Sequence, residues 1–313
     1  MSGHRGLKIG LKAAVSGAIL AYLLTKAPVG KLGPLILQAD HSLWLAAFLL
    51  YLAGQVLSAY KWGLLAEPLG LKRPYRQLVA FYFIGMYFNL FMVGSIGGDL
   101  MRVWLLAGRE DSRMRSAYSI FAERFTGGMA LITIAALASL SSFSHLLPRG
   151  LKIGVILGSL GVWAFVAVLP RIVEAFPRLQ RLAARFKLGD FTLYWSRPGR
   201  MAAVLALSFL FQAMNILVVA LLGKAVGLGV PLSAYFFVVP VVDLVSVLPV
   251  SISGLGVREG SYVFLLHLLG AETTTAFACS LLVLSVVVLS GAIGGVVYLL
   301  TDYPMVIRRK RTP

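Results

Sequence analysis

The chain has 313 residues, 59% hydrophobic and only 13% charged, with 29 Lys and Arg against 12 Asp and Glu for a formal net charge of +17. So little polar surface cannot cover a soluble globule, and a mean hydropathy of +0.86 marks an integral membrane protein. The positive charge sits in short loops between apolar segments, so it reads as an orientation signal rather than a nucleic-acid footprint.

The N-terminal stretch begins basic (Arg5, Lys8, Lys12) and runs apolar to Leu24, like a signal peptide. No small-residue cleavage site follows, because the run meets Thr25, Lys26 and Pro28, so an uncleaved first helix is expected over 9–25. Further spanning helices are expected at 43–66, 117–140, 151–169, 202–224 and 273–300, each near the roughly 20 residues that cross a hydrocarbon core. Two other segments, 77–107 and 231–268, each hold an apolar stretch, a Gly-rich motif and a second short apolar stretch. In the first, the part after the motif is too short to cross a bilayer at about 1.5 Å per residue. Both read as broken or re-entrant helical hairpins, tolerable at membrane depth only where protein or a polar cavity covers the irregular backbone. The expected fold is an all-α polytopic membrane protein of about six spanning helices plus two such hairpins, eight helical elements in all. The single cysteine, Cys279, lies in an apolar segment, which leaves no disulfide framework and no thiol cluster for metal.

With the N-terminus inside, the basic groups fall on the cytoplasmic side: Lys72, Arg73 and Arg76, then Arg109, Arg113 and Arg115, then the region from Arg171 to Arg200, then Arg308 to Arg311. The other side receives scattered charges such as Lys26, Lys31, Arg149, Lys152 and Lys224. If each hairpin returns to its own side, the chain is one membrane domain, 1–313, built of two repeats, 1–150 and 151–313, of inverted topology. A parallel arrangement needs only a different hairpin depth and stays open. Within the connection 171–200, Leu179, Leu182 and Phe186 share one helical face while Arg178, Arg181, Arg185 and Lys187 fan around the other, as in an interfacial amphipathic helix.

One polar motif occurs twice. SIGGDLMR begins at Ser95 and SISGLGVR at Ser251, 156 residues apart and close to half the chain, with Ser, Ile, Gly and Arg in the same four places. In the first copy Gly94, Gly97 and Gly98 let the backbone turn and expose N–H groups, and the following helix points its positive end at the same spot. Asp99 falls in that helix's first turn as a cap or an acid. Arg102, one turn on, can fork onto a phosphate or carboxylate, and Asn89 can satisfy backbone groups freed in the break. In the second copy Pro249 breaks the preceding helix, Gly254 and Gly256 permit the turn, and Arg258 and Glu259 open the next helix, close to Asp243. Glu123 and Arg124 lie a few residues inside an otherwise apolar helix. Ionisable groups placed this way are costly and point to a functional site. The competing explanation is that they pair with one another and only pin the hairpins into the bundle.

At Asn89 to Arg102 (NLFMVGSIGGDLMR), Glu123 to Gly127 (ERFTG) and Pro249 to Gly260 (PVSISGLGVREG), the chain resembles the transmembrane, flippase-like family named after lysylphosphatidylglycerol synthases. It departs from that pattern at Val93-Gly94, where relatives often carry a proline. The resemblance implies a polytopic bacterial or archaeal inner-membrane protein, both termini cytoplasmic, that moves a lipid or lipid-linked head group between leaflets. Some relatives carry a fused aminoacyl-transferase domain. None is expected in a chain that ends at Pro313, so the synthase activity is not carried over.

The leading expectation is therefore a lipid translocase without covalent chemistry and without a cofactor, its partner a membrane lipid with an anionic head group. Two alternatives are an intramembrane lipid-carrier transferase and a non-transporting partner of a lipid-biosynthetic enzyme. A transferase calls for a base near neutral pH and usually a metal site. His4, His41, His145 and His267 all lie near predicted helix ends or loops, away from the glycine motifs, though Asp99 and Glu123 together suit a divalent ion.

Overall fold

The computed structural model describes residues 25, 29–91, 96–108, 112–176, 194, 197–247 and 254–301. The predicted helix 9–25 apart from Thr25, the motif residues Ser95 and Ser251, Gly94, Pro249, the amphipathic face of Leu179, Leu182 and Phe186, and the basic tail lie outside them. Ten α-helices are described: α1 (Val29–Leu37), α2 (His41–Ala66), α3 (Tyr75–Phe91), α4 (Ile96–Ala107), α5 (Arg113–Ala138), α6 (Arg149–Ala175), α7 (Pro198–Ala225), α8 (Leu232–Ser246), α9 (Val257–Leu268) and α10 (Thr273–Leu300). No strand occurs among the described residues.

Five segments are long and apolar enough to cross a membrane: His41–Leu69, Arg113–Ala138, Arg149–Leu169, Pro198–Ala225 and Thr273–Leu300. They match five of the six expected spans. The helix α1 was not expected. Its nine residues are too few to span, but Leu32 is buried, and the helix packs on α10.

Each Gly-motif segment splits into two helices, α3 with α4 and α8 with α9. At 1.5 Å per residue α3 is about 25 Å long and α4 about 18 Å, against about 39 Å for α2. Where the pairs open follows from their neighbours. Arg200 at the start of α7 meets Glu67 just past the end of α2 at 3.1 Å, while the Asp40 amide before α2 donates to Ala225 at the end of α7 at 2.9 Å, so α2 and α7 run antiparallel. The Arg73 guanidinium before α3 donates to the Leu106 carbonyl at the end of α4 at 3.1 Å. The first hairpin therefore begins and ends at the Glu67 end of the bundle. The second follows directly on the other end of α7. Its second arm, α9, joins α10 through Gly270 (φ 87), and α10 then runs antiparallel to α3, with Leu90 at Gly291 and Tyr87 at Gly295.

Lipid tails are as apolar as leucine, so packing rather than water exclusion holds such helices together, and glycine permits the closest approach. A Cβ on Gly294 would meet the Phe83 carbonyl of α3, and one on Gly158 would lie 2.8 Å from Ile132 of α5. The contacts are reciprocal between the two hairpin units. The helix α2 lies on α7, the first hairpin's α3 lies on α10, and the second hairpin's α8 lies on α5. By contrast α6 exposes Ile153, Leu157, Leu160 and Phe165 and packs chiefly on α5.

Candidate functional site

The first motif forms a charged cluster between α2, α3, α4 and α5. The two arms of the hairpin cross where Gly98 faces Gly85: a Cβ on Gly98 would strike the Gly85 carbonyl, and one on Gly85 would lie 2.8 Å from Cγ of Arg102. Gly98 is helical and buried, so it serves this close approach rather than a sharp turn. Its N–H donates to Oδ1 of Asn89 at 2.7 Å, which fills one of the donors that sequence reasoning reserved for an anion. Gly97 is buried in the same first turn.

Arg102, 3% exposed, lies between the rings of Trp62 and Tyr82, 4.2 and 4.3 Å from their centroids, where the ring faces attract a cation. Its Nη2 donates to Oε2 of Glu123 at 2.6 Å and its Nη1 lies 3.5 Å from Oδ1 of Asp99. Among the described residues its buried Nε–H has no hydrogen-bond partner. Oε1 of Glu123 accepts from Ser58 at 3.0 Å and from the Tyr82 hydroxyl at 3.3 Å. Asp99 holds Arg124 through a two-point fork, Nε to Oδ2 and Nη2 to Oδ1, both 3.0 Å. The Arg124 side chain is 47% exposed, so this fork is the cluster's open face.

Lys61 of α2 completes the cluster, and sequence reasoning missed it. It is 2% exposed, yet its Nζ lies 3.9 Å from Oε1 of Glu123 and, among the described residues, bonds only the Glu123 carbonyl, at 3.5 Å. The signal was present, since Lys61 is the lone charged residue in the expected span 43–66. With it the cluster holds three cations, Lys61, Arg102 and Arg124, against two carboxylates, Asp99 and Glu123. A metal ion on those two carboxylates would sit among all three cations, which the donor set does not favour.

The second motif is more self-contained. Gly254 and Gly256 have φ of 77° and 81°, the turn that sequence reasoning expected of them. Glu259, fully buried, accepts the Gly256 N–H on Oε2 at 2.6 Å and Arg258 on Oε1 at 2.8 and 3.1 Å. Asp243 accepts from Asn215 of α7 at 2.9 Å. Seven charges singled out in the sequence thus divide: Asp99, Arg102, Glu123 and Arg124 come together, Arg258 pairs with Glu259, and Asp243 takes an amide partner.

Long apolar helices packed around two helical hairpins, with ionisable side chains buried between them, define a multi-pass membrane protein. The chain belongs to the family described as the lysylphosphatidylglycerol synthase TM region, which it matches over residues 9–295. Membership places it among membrane proteins of lipid modification or translocation. A search of curated proteins finds no match.

Proposed function

We propose that the protein is a translocase that moves a lipid with an anionic head group between leaflets, leaving the lipid chemically unchanged. The observation that carries this is the excess of one positive charge in the first cluster among the described residues, three cations against two carboxylates, with a buried Arg102 Nε–H that no described residue bonds. A buried charge surplus is costly unless an anion relieves it, and a lipid phosphate can supply that anion at the half-exposed Arg124 while its tails remain in the bilayer. The hairpins that open toward opposite ends, and the reciprocal packing of α3 on α10 and α8 on α5, support inverted repeats of the kind that give alternating access around a midplane site. The basic end, with Lys72, Arg73, Arg76, Arg113 and Arg115, is then cytoplasmic, and the host membrane is the cytoplasmic membrane.

The test is transport in vesicles holding the purified protein. Acyl-labelled phosphatidylglycerol and phosphatidylcholine are placed in one leaflet, and their loss from it is followed by quenching. The expected result is faster movement of phosphatidylglycerol, reduced in Arg124→Gln and in Arg102→Met. Full rates in both variants would remove the arginines from the mechanism, and recovery of a chemically altered lipid would move the protein to the transferase class.

A further inference from the structure

Asp243 of α8 has no part in the transport just described. Its Oδ2 accepts from Nδ2 of Asn215 on α7 at 2.9 Å. Asn215 lies roughly 15 Å inside the span Pro198–Ala225 at about 1.5 Å per residue, so this carboxylate sits at membrane depth, where an ionised group needs a partner. Among the described residues no cation pairs with it and nothing bonds its Oδ1. The adjoining residues 248–253, which lie outside the described ones, carry no ionisable side chain. Three helices pack on α8, namely α5, α7 and α9. Within the span, Glu123 and Arg124 of α5 belong to the first cluster, Arg258 and Glu259 of α9 hold each other at 2.8 Å, and α7 offers the amides of Gln212 and Asn215. Tyr262 of α9 and Tyr51 of α2 pack in the same core and bring no cation to it.

The charges of the two hairpin sites complement each other. Among the described residues, Asp243 and Glu259 against Arg258 leave the second site one negative charge in surplus, while Lys61, Arg102 and Arg124 against Asp99 and Glu123 leave the first one positive. Residues 92–95, beside the first site and outside the described ones, are again without an ionisable side chain. One turn of α7 links the two sites. Gln212, three residues before Asn215 and on the same face, donates to the Gly127 carbonyl at 3.2 Å. It does so beside Lys61, since Nε2 of Gln212 and Nζ of Lys61 lie 3.6 and 3.9 Å from where a Gly127 Cβ would stand. Of the carboxylates, Asp243 loses least on taking a proton. Glu259 accepts the Gly256 N–H and two contacts from Arg258, Glu123 accepts from Arg102, Ser58 and Tyr82, and Asp99 holds the Arg124 fork. Asp243 accepts a single amide and is only half-buried.

We infer, on the basis of the proposed translocation, that Asp243 is the site of a proton that crosses the membrane together with the lipid anion. An anionic head group at Arg124 cancels the positive surplus of the first site and leaves the negative surplus at Asp243 uncompensated in surroundings of low dielectric. A proton from water then adds to Oδ1, giving a neutral carboxylic acid whose carbonyl oxygen, Oδ2, keeps the Asn215 bond. One anion and one proton move as a neutral pair. By linkage each tightens the binding of the other by the same factor, so the lipid anion is held more tightly as pH falls.

The test uses the full chain in mild detergent and weak buffer, as wild type and as Asp243→Asn. Phosphatidylglycerol or phosphatidylcholine is added at a series of pH values between about 5 and 8, an indicator dye counts the protons taken up, and native mass spectrometry reads lipid retention. Wild type is expected to take up about one proton per chain with phosphatidylglycerol and none with phosphatidylcholine, and to retain phosphatidylglycerol about tenfold more tightly at the acid end. Asp243→Asn is expected to retain phosphatidylglycerol selectively, without proton uptake and without pH dependence. Selective retention by wild type with no proton uptake at any pH would overturn the inference and leave translocation untouched, an outcome that does not depend on the variant. Uptake that persists in Asp243→Asn, shown to be folded by an unchanged midpoint for heat-induced exposure of the buried Cys279 thiol, would overturn it by placing the proton elsewhere. Proton uptake without leaflet movement in vesicles would remove translocation and keep the coupled sites, and absence of selective retention would remove both.

Discussion

Glu123 is the residue on which the first cluster turns, because its two oxygens answer Arg102, Ser58 and Tyr82 and face Lys61. Glu123→Gln leaves two buried cations without their carboxylate, a change expected to cost about 3–5 kcal/mol. The check is the temperature at which the Cys279 thiol, buried in the native state, becomes reactive. An unchanged midpoint would mean that the pair does not hold the hairpin, whereas adding Arg102→Met should recover part of the loss. Lys61 is the opposite case. Its acceptors are distant, so Lys61→Met is expected to leave the midpoint unchanged or raise it while slowing movement of anionic lipid in the vesicle assay. That split separates the two explanations open from the sequence, since a purely structural cation would lower stability and leave transport alone.

At the scale of an element, the close crossings decide where helices sit. Gly294→Ala drives a methyl group into the Phe83 carbonyl and is expected to cost about 1–3 kcal/mol by overpacking, read from the same thiol midpoint. Gly161→Ala in α6 meets nothing within 4 Å and should be neutral or slightly stabilising, because alanine favours helix. If both behave alike, the α3–α10 crossing is looser than described. The start of α2 carries a pH signature. Oδ1 of Asp40 accepts from the Ser42 hydroxyl and the Leu43 and Ser42 amides, which holds its carboxyl below the usual range. Its contribution to stability is therefore complete above the ordinary aspartate value and is lost as pH falls through the lowered one. Asp40→Asn should keep the cap but flatten that acid limb in thermal scans run from neutral pH to about pH 3. An identical acid limb in Asp40→Asn would assign it to other carboxylates.

For the whole molecule the testable quantity is which ends share a face of the membrane. In a Cys279→Ser background, cysteines replacing Lys72 and Arg115 should react with an impermeant maleimide from one side, and cysteines replacing Lys224 and Glu272 from the other. The first pair flanks the first hairpin and the second pair flanks the second, so labelling of all four from one side would contradict hairpins that open oppositely.

Spans and hairpins were legible in the sequence because they rest on one-dimensional properties. About 20 apolar residues specify a crossing and a glycine-rich break specifies its interruption, which is why five expected spans and both split segments match helices found in the structure. The turn at Gly254 and Gly256 was legible for the same local reason. The tertiary structure alone decided that Gly98 makes a helix crossing and that Lys61 joins Arg102 and Arg124 around Glu123. It also decided that Arg258 answers its own neighbour Glu259 and not the first cluster. Those outcomes depend on which faces of helices far apart in sequence come within a few ångströms, and in a chain whose lipid-facing and protein-facing surfaces are equally apolar, hydropathy carries no record of that choice.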